Sequence, residues 1–429
     1  MLEVLCVTGG RTLEGRVRVA GAKNAALPLL FATLLSDQPC VLENVPDLED
    51  IAVTLRLLRS LGAQTEYKSN RVEIRTETIR GTLAPYGLVK ALRASFWVLG
   101  PLLARAGEAQ VSLPGGDAIG TRPVDLHLQG LARLGADIQM KHGVVCATAP
   151  GGLRGATIDL GFPSVGATHN ILMAAVLAKG ETVLHGVARE PEVTELASLL
   201  TAMGAKISGA GTDTIQVLGV ESLGGATHAV LGDRIEAATY PLTGAVTGGR
   251  VQVSGIPAEA LHSSLHLLEN LGCQVHRGEN EVEVVGPNRL RATDFETEPY
   301  PGLATDVQPL FMAALTGADG RSVVRENVFE NRFGHVAEYR RFGARIAIDG
   351  RLATIDGVDL LSAAPVEGGD IRAAAGLVLM GLMAEGVTQV RELHHLDRGY
   401  DGMVEKLKEL GAKVSRIPAF EEKEVVFGC

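Results

Sequence analysis

Apolar residues along this chain keep two alternating rhythms. Short runs such as residues 109–113, rich in Val and Leu, suit strands. Longer stretches place apolar residues three or four apart, as at Val124, Leu128, Leu131 and Leu134, and predict helices with one buried face. Those helices stop on a repeated signal: Leu61-Gly62-Ala63, Leu134-Gly135-Ala136, Met203-Gly204-Ala205, Leu271-Gly272-Cys273, Phe342-Gly343-Ala344 and Leu410-Gly411-Ala412. Glycine there supplies the left-handed residue that ends a helix. The six glycines recur every 68–73 residues. That regularity predicts an internal repeat, with a unit long enough to be a compact α+β subdomain rather than a solenoid turn.

In chain order, residues 4–19 read as strand, Gly9-Gly10 turn and strand. Residues 25–35 form an apolar helix, 41–45 a strand and 48–61 a helix. Residues 93–104 read as a second buried helix, starting on Arg93. The segment 109–140 reads as strand, glycine-rich loop, helix and strand, with Pro123 in the first helical turn. Residues 169–178 read as a helix and 182–186 as a strand. The longest apolar run, 373–384, is too short to cross a bilayer and reads as a buried helix. Three repeats per domain is the natural partition. It gives a first domain at 23–231 and a second made of 1–22 plus 232–429, with the earliest strands pairing into the last repeat. The fold class is α/β.

With 429 residues, 46% hydrophobic and 21% charged, the chain can bury large cores. A formal charge of −10 argues against general nucleic-acid binding and makes any clustered arginines informative. The five cysteines, Cys6, Cys40, Cys146, Cys273 and Cys429, are scattered without metal-ligand spacing. They point to a reduced, cytoplasmic setting, and the first residues do not read as a signal peptide.

Candidate chemistry gathers beside glycines and at expected helix starts: Lys23, Arg93, Asp117, Arg122, Asp306, Arg332, Asp370, Arg372, Asp397 and Arg398. A helix N-terminus attracts anions, so an arginine placed there is unfavourable unless an anion joins it. Arg93, Arg372 and Arg398 at or near helix starts therefore predict a site for phosphate or carboxylate groups. Asp370, Asp397 and Asp306 also suit capping roles, and His127 and His169 suit satisfied structural positions. The glycine-rich loop at 115–117 matches neither a Walker loop nor a dinucleotide fingerprint.

Taken together, Gly21-Ala22-Lys23-Asn24, Arg93-Ala94-Ser95-Phe96-Trp97, the run from Gly115 through Asp117 and Arg122 to His127, Ser164-Val165-Gly166-Ala167-Thr168, Arg189-Glu190-Pro191-Glu192, Asp233-Arg234-Ile235-Glu236, Thr305-Asp306 and Asp397-Arg398-Gly399-Tyr400 closely resemble the enolpyruvyl transferases, in particular those acting on UDP-N-acetylglucosamine. The resemblance runs along essentially the whole chain. The entry and loop motifs of the related 5-enolpyruvylshikimate-3-phosphate synthases fit less well.

The resemblance implies a two-domain inside-out α/β barrel, each domain holding three βαββαβ repeats around buried helices, with the active site in the cleft. It implies addition of the 3′-hydroxyl of UDP-N-acetylglucosamine to phosphoenolpyruvate and loss of phosphate, opening peptidoglycan precursor synthesis. It implies no metal or organic cofactor, small-molecule partners only and a cytoplasmic location. Lys23, Arg122 and Arg398 would hold the phosphate of phosphoenolpyruvate, with Arg332 and Arg372 near its carboxylate. Asn24 and Arg93 would contact the substrates. Pro123, Val124, Asp125 and Leu126 would cradle the uridine, Ser164, Val165 and Gly166 the diphosphate, and Val328 the sugar. Asp306 would be the base and Asp117 the proton donor. Many relatives have cysteine where this chain has Asp117, which implies tolerance of the thiol-alkylating antibiotic fosfomycin. Relatives often place a lysine two residues before the serine, where this chain has Phe162. Two alternatives stay open: a paralogue with another acceptor, and a catalytically silent nucleotide-sugar-binding protein.

Overall fold

The computed structural model describes residues 3–114, 119–120 and 123–419. Its organising elements are helices apolar around most of their circumference. Lys23–Ala32, Leu99–Ala106 and Val165–Ala175 belong to one core; Arg234–Thr247, Gln308–Leu315 and Ile371–Met383 belong to another. Each set of three is buried among its own sheets. The amphipathic helices Glu49–Ser60, Asp125–Arg133, Pro191–Ala202, His262–Asn270, Val336–Arg341 and Met403–Glu409 bury one face and expose the other.

The chain divides into two compact units. An inserted unit takes the described residues of Ala20–Asp117 and Thr121–Gly232; a host unit takes those of Met1–Val19, Ala118–Gly120 and Asp233–Cys429. Among the described residues, six four-stranded sheets, three per unit, share one topology. In one of them Glu108–Ser112 runs parallel to Leu83–Ala84 and antiparallel to Val144–Thr148, which pairs antiparallel with Asp137–Lys141. Alternating burial, as in Arg71–Arg75, turns one face of a sheet to the helices and the other to water.

The repeated stop is structural. Gly62, Gly135, Gly204, Gly272, Gly343 and Gly411 all have φ between +88° and +111°. At Gly135 the glycine N–H donates to the Ala132 carbonyl and the Ala136 N–H to that of Leu131, so the last turn closes on itself and releases the chain into a strand.

Three sequence expectations need correction. Of the two earliest strands, only the first joins the last repeat. Glu3–Thr8 lies between Val387–Arg391 and Lys413–Pro418, completing the last repeat's sheet, whereas Glu14–Arg18 runs parallel to Arg250–Ser254 in the fourth. The N–H groups of Gly9 and Gly10 are taken by the carbonyls of Gly386 and Leu382 at the end of a buried helix, and a Cβ on Gly9 would lie 2.0 Å from the Ala384 oxygen.

The segment 93–104 is not one helix: Arg93–Val98 is a 3₁₀ turn that passes into Leu99–Ala106. The Asn170 carboxamide enters the ladder there. Its Oδ1 accepts from the Gly100 N–H at 2.7 Å and its Nδ2 donates to the Phe96 carbonyl at 3.4 Å, replacing the direct i to i+4 bond. Pro101, with no N–H, cannot restore the next bond. Finally, the helix expected at 169–178 begins earlier, at Val165, because Ser164 caps it by accepting from the Ala167 N–H at 3.3 Å.

Two measurements test this fold. Gly343 has φ +88° and open space around it, so Gly343→Ala should cost about 1 kcal/mol through backbone strain alone, read from the urea midpoint. Burial pushes His127 and His335 down to about 3 and His169 to about 4, with Arg93 acting further on His127 and Arg332 on His335. The unfolded chain binds these protons near pH 6.5 and the folded chain does not. Stability should therefore be full above pH 6.5 and fall as pH drops towards 5, by about 1.4 kcal/mol per pH unit for each histidine. A urea midpoint that does not move over that range would contradict the buried neutral state.

Candidate functional site

In the inserted unit the first candidate is set by a glycine. A Cβ on Gly21 would lie 1.7 Å from the Asn44 carbonyl oxygen, so only glycine lets the chain turn into the helix that Lys23 opens. Lys23 is 7% exposed, and its Nζ stands 3.1 Å from Asp50 Oδ2. A buried ammonium at the positive end of a helix needs this carboxylate. Nothing in the sequence marked Asp50 for that role; it reads only as an acid in the first turn of its own helix. Asn24 follows Lys23, half-buried.

Arg93 opens the 3₁₀ turn and is half-buried. Ser164, Val165 and Gly166 form the partly open first turn of their helix. A Cβ on Gly166 would sit 2.9 Å from Trp97 Nε1 and 3.2 Å from His127 Nε2, so both rings close on that turn. Phe162, where relatives often carry a lysine, is a 46% exposed ring. Val124 caps the helix Asp125–Arg133, so Pro123 precedes the first turn rather than lying in it. Val124 and Leu126 are half-buried, and Pro123 and Asp125 exposed. Asp117 and Arg122 lie outside the described residues.

The host unit holds a denser arrangement. Arg372, 4% exposed, donates through Nε at 3.2 Å and Nη2 at 3.0 Å to Oδ2 of Asp306. Burial works against its charge, but Asp306, Tyr400 and Asp233 outweigh it and hold the guanidinium protonated. The Tyr400 ring lies 5.6 Å from the Arg372 guanidinium carbon, and its hydroxyl is 3.0 Å from Thr239 Oγ1.

Asp370 caps the helix Ile371–Met383 with Oδ1, accepting from the N–H groups of Arg372 at 2.8 Å and Ala373 at 3.0 Å. Its Oδ2 accepts from Arg332 Nη1 at 3.3 Å. Burial would raise the Asp370 carboxyl, but Arg332 and the two backbone N–H groups hold it below the ordinary range. Arg332, 3% exposed, also donates from Nε to the Thr305 carbonyl at 3.3 Å.

Glu326 organises the neighbouring loop, a role that the sequence did not signal. Its Oε2 accepts from Thr305 Oγ1, and its Oε1 accepts from the N–H groups of Val328 and Phe329 at 2.9 and 3.0 Å. Asp306, Val328, Arg332, Asp370 and Arg372 thus form one hydrogen-bonded group. It presents two buried cations and a half-exposed carboxylate, an arrangement suited to an anionic reactant and a proton acceptor.

Three candidates depart from expectation. Arg398 is the C-cap of the short helix His394–Asp397, not a residue at a helix start. Asp397 is the last residue of that helix, and its carboxylate is held by the Arg416 guanidinium instead of capping an N-terminus. Local charge pattern does not distinguish the two ends of a four-residue helix. Asp306 is likewise no cap; the helix after it starts at Gln308 without a side-chain cap.

Comparison with known proteins follows the same outline. A family profile described as EPSP synthase (3-phosphoshikimate 1-carboxyvinyltransferase) matches residues 7–407. A UDP-N-acetylglucosamine 1-carboxyvinyltransferase of Geobacter metallireducens is 50% identical over 416 residues, covering 97% of this chain and all of that protein. One of Acinetobacter baylyi is 49% identical over 418 residues, with 97% and 100% covered. Among solved structures, the enolpyruvyl transferase NikO from Streptomyces tendae superposes with a TM-score of 0.87 at 29% identity, covering 97% of this chain and 99% of its own. EPSP synthase from Acinetobacter baumannii, 19% identical with a TM-score of 0.77 over 97% and 100% of the two chains, shares the fold. With its repeats, its buried helices and nearly its full length matched, the chain belongs to the EPSP synthase family of enolpyruvyl transferases.

Proposed function

We propose that this protein transfers the enolpyruvyl group of phosphoenolpyruvate to the 3′-hydroxyl of UDP-N-acetylglucosamine, releasing phosphate. The observation that carries the reading is the Asp306–Arg372 fork beside Arg332–Asp370, in a chain about half identical to 1-carboxyvinyltransferases over its whole length. A reaction that joins a sugar hydroxyl to an anionic enol needs a fixed carboxylate next to fixed cations.

In the proposed sequence the sugar oxygen bonds to C2 of phosphoenolpyruvate while its proton passes to Asp306. C3 takes a proton from Asp117, giving a tetrahedral adduct. The Asp117 carboxylate then takes a C3 proton back and phosphate departs with the proton held by Asp306, which restores the double bond and returns both carboxyl groups to their starting states. Lys23, Arg122 and Arg398 hold the phosphate, and Arg332 and Arg372 the carboxylate. Arg93, Asn24, Pro123, Val124, Asp125, Leu126, Ser164, Val165, Gly166 and Val328 hold the nucleotide sugar. The half-exposed Asp306 carboxylate, oriented by two N–H donors of a permanently charged arginine, supports its assignment as base. The chemistry places the enzyme at the entry to peptidoglycan precursor synthesis. No helix among the described residues is long and apolar enough to cross a membrane.

Phosphate release should appear only with both phosphoenolpyruvate and UDP-N-acetylglucosamine present. Asp306→Asn should lower kcat by about 10²-fold or more and leave the KM for the nucleotide sugar within severalfold; an unchanged kcat would remove Asp306 from the chemistry. With carboxylate in place of thiolate at 117, fosfomycin should form no covalent adduct with the wild-type protein, whereas Asp117→Cys should be alkylated. Mass spectrometry of the intact chain reads both outcomes, and an adduct on Asp117 would refute the assignment.

A further inference from the structure

His127 reads from sequence as a structural histidine, yet it is held in a way that structure alone does not require. It lies on the helix Asp125–Arg133 and is 6% exposed. Its Nδ1 stands 3.1 Å from Nδ2 of Asn170. The orientation of that amide is not free. Asn170 Oδ1 is occupied by the Gly100 N–H at 2.7 Å, and Nδ2 also serves the Phe96 carbonyl at 3.4 Å. The atom facing the histidine is therefore a donor, and a donor can meet Nδ1 only as a lone pair. A neutral imidazole with a lone pair on Nδ1 carries its proton on Nε2.

That Nε2–H makes no hydrogen bond among the described residues. It lies against Gly166 in the first turn of the helix Val165–Ala175, beside Trp97 Nε1. Two ring N–H donors and an open helix start meet on the single glycine whose missing side chain leaves the space between them.

We propose that Asn170 is a positioning residue that fixes His127 as an Nε2–H donor, and that His127 binds the diphosphate of the nucleotide sugar at Ser164–Gly166. The inference rests on the assignment of that turn to the diphosphate. A neutral donor suits the position. Arg93, on the 3₁₀ turn, and His169, on the Val165–Ala175 helix, are the titratable groups that act on the ring, and Phe96 packs edge-on at 5.3 Å. A second positive charge would be opposed there by burial and by Arg93. The donor therefore stays uncharged through the physiological range, and its contribution to binding does not vary with pH.

Nitrogen-15 NMR of histidine-labelled protein, with His127 assigned by loss of its signal in His127→Gln, should show an Nε2–H tautomer that does not titrate from pH 5.5 to 8. Calorimetric binding of UDP-N-acetylglucosamine, without phosphoenolpyruvate, supplies the second readout. His127→Gln, whose amide nitrogen replaces Nε2, should bind within about threefold of wild type, and His127→Phe should bind about tenfold or more weakly. Asn170→Asp should draw a proton onto Nδ1 and make the affinity rise as pH falls, where the wild-type profile is flat. An Nδ1–H tautomer, equal affinity in His127→Phe, or a flat profile in Asn170→Asp would each overturn the proposal. A wild-type protein that binds no UDP-N-acetylglucosamine would overturn the diphosphate assignment itself, and this inference with it.

Discussion

A helix that is apolar on nearly every side must be covered on every side, and six of them stand among the described residues. That constraint dictates the rest of the fold. One sheet buries one face, so a single βαβ unit cannot cover such a helix; three units whose helices pack together, each backed by its own sheet, can. The amphipathic helices close the remaining gaps. The result is a core of Leu, Ala, Phe and Met side chains in each unit, with Leu29, Phe31 and Leu172 in one and Leu310, Phe311 and Leu377 in the other all fully inaccessible.

The same constraint locates the chemistry. A buried helix still has an N-terminus with unpaired N–H groups, and those groups must meet something polar. Several of the candidate residues stand at such ends. Lys23 opens one helix, Ser164 caps another, and Arg93 begins the turn leading into a third. In the host unit Asp233 and Asp370 cap two, and Asp306 stands just ahead of the last. Polar ends on apolar helices are thus both the cost of the architecture and its functional surface. In the host unit the ends support one another directly, since Arg372 on one helix grips Asp306 before the next.

Much of this was legible in the sequence, for physical reasons. The six glycine stops demand a left-handed backbone that other residues avoid, so the repeat was visible from spacing alone. The apolar runs at 25–35 and 373–384 marked buried helices for lack of any polar face. What could not be read were features set by distant partners. The helix break at Phe96 comes from an asparagine 74 residues away, inserted between a carbonyl and its N–H. The first two strands separate because the end of a buried helix claims the donors of Gly9 and Gly10. Arg398 lies at the end of a four-residue helix, and the charge pattern around so short a segment looks alike at either end. Asp50 and Glu326, which hold Lys23 and the Thr305–Val328 loop, are acids like many others until their partners are in place.

The strand Glu3–Thr8 finds its partners only at Val387–Arg391 and Lys413–Pro418. On the ribosome that strand emerges before the inserted unit and waits until residues 387–418 have been made. The inserted unit needs nothing beyond Gly232, and its own edge strand Thr227–Ala229 is available as soon as it emerges. Synthesis from one end therefore delivers a finished inserted unit while most of the host is still to be translated. The host then closes the longest loop in the molecule as its final step, the slowest kind of contact to form and the one that leaves a lone β-strand exposed for longest.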